Sequence, residues 1–298
     1  MATPKDPALE RRKVRLALRT FRRKAGLNQP DVAEALSWSP SKVIRIEGGS
    51  VGVSVTDLRA LLDLYDVTDA EVRQDLEKST RDSRRPPWWS PYRDVVDPQF
   101  AIYLGFEGTA DALFAYDPTF IPGLLQTEDY TRALLETRNS SERLDAVVGL
   151  RGERQERLLR GDEKPELNFL VDEAALRRWV GGPAVMRSQL QYLKAAAEYP
   201  HVTLGIVPFT AGAHPVLRSG SIALTFTDGD DVLFTETASG ALTTRNDQSL
   251  VDDYLTDFDN SRSGALFGHR MTAFIDDIIK HYPNGHAETS AGPPDSPS

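Results

Sequence analysis

The stretch from Asn28 to Gly48, NQPDVAEALSWSPSKVIRIEG, leaves the backbone little choice. It predicts two short helices joined by a tight turn. Asn28 is a good N-cap, with Gln29 and Pro30 at the first helical positions, where a missing N–H costs nothing. Val32, Ala33 and Leu36 then fall on one face. Ser37 and Trp38 make the turn. Ser39 is a second N-cap, followed by Pro40 in the same tolerated place. Val43 and Ile46, three apart, pack inward, and Gly48 with Gly49 ends the second helix. Ser41, Lys42 and Arg45 are left pointing outward.

A helix that shows two cations and a hydroxyl, with another helix behind it, has the layout of a DNA-reading helix-turn-helix. The stretch resembles the Cro/cI phage-repressor class, also called the xenobiotic-response-element family. The residues that carry the likeness are Gly26, Leu27, Gln29, Val32, Ala33, Leu36, Ser39, Val43, Ile46, Glu47 and Gly48. It extends over about residues 10 to 80. The resemblance implies that Pro40–Glu47 docks in the major groove, with Pro40, Ser41, Lys42, Ile44 and Arg45 at base edges. Arg45 is the expected reader of guanine. Gln29 matches the family position that bonds a phosphate, and Ser39, Arg19 and Arg23 are further expected backbone contacts. Glu47 is expected to brace the domain or cap its loop. Two residues depart from the family pattern. Ser37 stands where glycine is frequent, and it is strained if that position has a positive φ. Ile44 is apolar where the family is usually polar. It either meets a thymine methyl or packs on a neighbour, and packing is the preferred reading. One such helix reads few base pairs, so a homodimer on a two-fold site is expected.

The charge distribution agrees. The net charge of the 298 residues is −9, which taken alone argues against a nucleic-acid partner. Residues 1–45, however, hold 11 Lys and Arg against 4 Asp and Glu, and residues 1–85 hold 17 against 13. The remainder carries 18 against 31. A basic head on an acidic body is the asymmetry expected when one end meets phosphate. There is no cysteine, which excludes a disulfide framework, a thiolate metal site and a cysteine nucleophile. No apolar run of about 18 residues predicts a membrane span, and the N-terminus has no signal-like apolar region. A cytoplasmic protein is expected.

Read in order, residues 1–7 form a flexible tail and 8–85 a helix-turn-helix domain. In its first helix, Leu9–Lys24, the apolar stripe is Val14, Leu18 and Phe21. Arg11, Arg12, Lys13, Arg15, Arg19, Arg22, Arg23 and Lys24 cover the rest, some to meet phosphate and others simply solvated. Gly26 stops the helix. Ser54 caps a helix over Val55–Tyr65, and Thr68 or Asp69 starts a fifth. Residues 86–98 are a linker, opened by the proline-rich RRPPWWSP. Trp88 and Trp89 are expected to anchor it on the second domain in preference to stacking on bases. Residues 99–282 form a second domain and 283–298 a disordered tail. The second domain alternates helices (99–106, 126–137, 141–160, 173–179, 183–199, 248–264, 267–281) with strands (110–116, 167–171, 202–207, 222–226, 232–236). Thr227–Asp231 is a hairpin signal. The fold expected is an N-terminal all-α five-helix helix-turn-helix bundle joined to a larger mixed α/β domain.

Pattern alone assigns the second domain no task. Its segments IPGLLQTEDYTRALL (Ile121–Leu135), RQERLL (Arg154–Leu159), VDEAALRRWVGGPAVMRSQLQYL (Val171–Leu193), VTLGIVPFTAGAHP (Val202–Pro215) and FTETASGAL (Phe234–Leu242) resemble the C-terminal domain of actinobacterial antitoxin-like regulators. That resemblance implies a possible small partner protein encoded nearby. A small-molecule effector is a further expectation for a regulatory domain. His201, His214 and His269 are scattered, without metal-ligand spacing. His214 reads as a pocket rim or, more simply, a backbone-bonded loop residue. Gly181-Gly182-Pro183 offers amides to an anion or just connects two elements. Ile121–Gln126 reads as core packing, with a pocket or interface as the alternative. No catalytic constellation is visible. No enzyme activity, cofactor or metal is expected, with an enzyme carrying a DNA-targeting head as the less favoured alternative.

Overall fold

The computed structural model describes residues 7–49, 51–136, 140–161, 165–218, 220–227, 231–237, 240–244 and 247–282. Residues 1–6 of the expected N-terminal tail, the C-terminal tail and the centre of the Thr227–Asp231 hairpin signal lie outside the described residues, whereas Pro7, expected in the tail, opens the first helix. The chain divides into two compact units, Met1–Asp111 with Leu224–Asp230, and Ala112–Ala223 with Asp231–Ser298.

The first unit opens with five helices: α1 (Pro7–Lys24), α2 (Gln29–Ala35), α3 (Pro40–Glu47), α4 (Val55–Leu64) and α5 (Ala70–Asp82). Their boundaries follow local chemistry. Asn28 and Asp31 form a reciprocal capping box at the start of α2, Ser54 caps α4 through Asp57 N–H, and Asp69 caps α5. Gly26 takes a φ of +72° after α1, as its stop position requires. The inward stripes join in one core of Val14, Leu18, Val32, Val43, Ile46, Leu58, Leu61, Leu62 and Leu76, with Phe21 packed against it. A sixth helix, α6 (Pro98–Glu107), also belongs to this unit. Trp88 and Trp89 are half-buried.

The second unit is built on a mixed sheet of seven strands in the order β6-β5-β4-β1-β2-β3-β7. The strands are β1 (Ala112–Asp117), β2 (Glu166–Asp172), β3 (Val202–Val207), β4 (Ser221–Thr225), β5 (Val232–Thr237), β6 (Gly240–Thr244) and β7 (Leu266–Phe267). β1, β2 and β3 are parallel, with Ala112 opposite Glu166 and Leu167 opposite Val202. The buried run of β2, Leu167 to Asp172, is what a strand covered on both faces requires. Helices α7 (Glu128–Leu135), α8 (Ser141–Gln155), α9 (Glu173–Arg177) and α10 (Gly182–Ala196) fall between the parallel strands, and α11 (Gln248–Arg262) and α12 (Gly268–Lys280) close the chain. Met186, Leu190 and Leu193 of α10 are fully buried, as their spacing requires. The expected single helix over 141–160 is α8 continued by a π-helical turn, Glu156–Arg160. Strands β6 and β7 were not expected. β7 pairs antiparallel with β3 and lays Phe267 over Gly205, where a Cβ would stand 2.5 Å from the ring.

An all-α N-terminal bundle followed by a mixed α/β domain is therefore the architecture.

Candidate nucleic-acid interface

The α2–turn–α3 segment is held by a turn and a brace. Ser37 has a φ of +54°, the left-handed conformation its position in the turn demands. Trp38 N–H then returns to Ala33 O at 2.8 Å. The brace is Glu47, 4% exposed at the end of α3. Its carboxylate accepts Arg22 Nε at 2.7 Å and Arg22 Nη2 at 2.9 Å, a two-pronged pair reaching back to α1. It also accepts Gln29 Nε2 at 2.8 Å, from the start of α2. Arg22 Nη1 in turn donates to Leu27 O at 2.8 Å. One carboxylate thus ties three helices together, and its hydrogen bonds raise the Arg22 pKa above the ordinary guanidinium value. Tyr65, buried beside this pair, is also pushed up, first by burial and then by the Glu47 charge. Glu47 fills the bracing role expected of it.

With Val43, Ile46 and Glu47 buried, α3 turns Pro40, Ser41, Ile44 and Arg45 outward. Arg45 Nε donates to Ser41 O at 3.2 Å, which lays the guanidinium along the exposed face. Ser39 is the N-cap residue, but its side chain makes no cap bond. Its hydroxyl lies 3.2 Å from that of Ser41. Lys42 departs from the outward set. Its ammonium pairs with Asp57 Oδ1 at 2.8 Å and sits 3.6 Å from the centre of the Trp38 ring. Ile44 corrects the preferred reading: at 52% exposure it is not buried by packing on a neighbour. The buried faces of α3 are already filled by Val43 and Ile46, so nothing remains to cover it.

The basic surface of α1 is smaller than its composition implies. Arg15 is buried and lies against Gly49, Arg22 is spent on Glu47, and Arg11 and Arg12 donate to the Ser83 and Thr109 carbonyls. Lys13 pairs with Asp75. Arg23 and Lys24 are exposed, and Arg19 is half-buried. Gln29 is half-buried with one amide proton committed to Glu47, which leaves its second N–H for any phosphate.

In the second unit the polar groups at the strand ends serve the fold. Asp172 caps α9 through Ala174 N–H and accepts Tyr116 Oη at 3.0 Å, and Glu173 accepts Arg177 Nε and Phe209 N–H. His214 packs edge-on against Tyr116 with Nε2 3.8 Å from Asp172, His201 meets Leu158 O at 3.1 Å, and His269 is exposed. Among the described residues no three potential metal ligands come together. Gly181 adopts φ +69° against Ala133, where a Cβ would stand 2.7 Å away, and Gly182 adopts φ +84° with open space at its Cβ, so the pair serves a close approach at the first position and a left-handed backbone at both. Ile121–Gln126 is core. Gln126, Gln155 and Gln189 bond its carbonyls at Ile121, Leu124, Leu125 and Gln126.

The capped α2, the positive-φ turn and the outward face of α3 define a helix-turn-helix domain. A model of that domain matches residues 15–74. Over residues 100–277 the chain matches the model described as "Domain of unknown function (DUF5753)", and it belongs to that family. No curated protein and no solved structure matches it. No helix among the described residues is long and apolar enough to cross a membrane.

Proposed function

We propose that this protein is a sequence-specific DNA-binding transcriptional regulator of the Cro/cI type, acting in the cytoplasm as a homodimer and without catalysis. The observation that carries this reading is the outward face of α3. Ser41 and Arg45 project from a helix whose other side is locked into the domain core by Val43, Ile46 and the Glu47 brace. A base-reading side chain needs such a rigid mount, because contacts to base edges are lost with small displacements. Arg23 and Lys24 at the end of α1, with Arg19, Gln29 and Ser39, are the backbone-holding set. Selection of bound sequences from a random DNA pool by the full-length protein tests the reading. An enriched inverted repeat supports a dimeric sequence reader. No enrichment at near-physiological salt overturns it.

A second reading is an antitoxin-like autoregulator whose DUF5753 domain holds a small partner protein. What supports it is that Trp179 at 56% and Phe209 at 59% exposure are each a large apolar side chain that a partner protein would cover. A stoichiometric small protein that co-purifies from the native host, and is lost in Trp179→Ala or Phe209→Ala, would support this reading.

A further inference from the structure

The outward residues of α3 form one stripe. Pro40, Ser41, Ile44, Arg45 and Gly48 are exposed, at alternating spacings of one and three. Residues so spaced lie along one side of a helix. Ile44 stands at the middle of that stripe, with Pro40 one turn before it on the same face. Lys42 is turned aside by Asp57 and Trp38, so Ile44 and Arg45 are the long side chains left on the stripe. An isoleucine here gains nothing from solvent, and against base-edge donors and acceptors it would strip water without replacing the bonds. The major groove offers one apolar group, the C5-methyl of a pyrimidine, carried by thymine and by 5-methylcytosine.

Resting on the DNA-binding reading above, we infer that Ile44 reads a pyrimidine C5-methyl group, so that operator affinity depends on that methyl. Each thymine of the selected operator is replaced in turn by deoxyuridine, which lacks only the methyl, and binding is followed by fluorescence anisotropy with the full-length protein. The expected result is one position per half-site where the loss weakens binding about fourfold, the effect of one buried methyl. Ile44→Ala abolishes that sensitivity and leaves other positions unchanged. Where the position holds cytosine, 5-methylation strengthens binding by a similar factor, again only with Ile44 present. This arm distinguishes the two sources of the methyl. An operator with no methyl-dependent position, or with the same dependence in Ile44→Ala, overturns the inference and leaves the DNA-binding reading intact. Failure to select any operator overturns both. The deoxyuridine series uses the unaltered protein, so it does not depend on how the variant folds.

Discussion

At the scale of single residues, Arg45 and Lys42 look equivalent in the sequence and differ in the structure. Arg45 lies on the exposed stripe, whereas Lys42 is held by a carboxylate and an aromatic face. On the DNA-binding reading, Arg45→Ala relaxes base preference and costs about 1–3 kcal/mol of operator affinity. Lys42→Ala should change the preferred sequence little and instead lower stability by roughly 1 kcal/mol, through the lost ion pair and cation–π contact. Competition binding against mutated operators, set beside urea unfolding of each variant, separates the two. Ser37 offers a second test. A serine at φ +54° is strained relative to glycine, so Ser37→Gly should raise stability by about 0.5–1 kcal/mol, after allowing for the more flexible unfolded chain. A lower urea midpoint in Ser37→Gly would show that the serine side chain contributes more than its backbone strain costs. Nothing in a linear pattern distinguishes Lys42 from Arg45, because the partner Asp57 comes fifteen positions later and is brought close only by the folding of α4.

At the scale of elements, the sequence disclosed what local chemistry dictates. The five N-terminal helices were legible from local signals: caps at α2, α4 and α5, the Gly26 stop after α1, and an apolar stripe in each. The three parallel strands were legible as short apolar runs, rich in β-branched residues in β3 alone. β6 and β7 were not. β6, GALTT, has little apolar content, and β7 is two residues that become a strand only by pairing with Gly205 and Ile206. The π-helical turn after α8 likewise leaves no mark in residue spacing. The outward face of α3 was legible in outline, since it follows from the spacing of Val43 and Ile46. The inward turning of Arg15 and Arg22 did not, because their partners lie far along the chain. The brace on Glu47 is a property of three helices at once. Glu47→Ala leaves Arg22 without its partner in a side chain only 13% exposed, and should cost about 3 kcal/mol of stability. Urea unfolding of the variant, with Arg22→Ala and the double variant completing a cycle, measures the coupling. Additive losses would mean that the pair contributes nothing beyond its separate parts.

At the scale of the whole molecule, buried phenols set an upper limit to the pH range of the fold. Burial pushes Tyr130 up to about 12 from an ordinary 10.0, and Tyr116 and Tyr254 are raised for the same first cause. The folded state therefore holds these protons more tightly than the unfolded chain does. Their contribution to stability is complete below pH 10 and is lost as the pH rises towards 12. For Tyr130 alone the loss approaches about 2 kcal/mol. Urea midpoints between pH 9 and 11 should fall steeply, and Tyr130→Phe should make that fall shallower. An unchanged slope would mean that Tyr130 does not titrate in this range. The strand order has a consequence in time. The α1–α5 bundle closes through contacts within the first 82 residues, whereas β1, near the middle of the sheet, has β4 as a neighbour some hundred residues further along. Local contacts form fast and distant pairings slowly. During synthesis, the head that meets DNA is therefore assembled while the sheet still lacks the strand that lies against β1. A chain halted midway would present a finished α3 while the sheet is still incomplete.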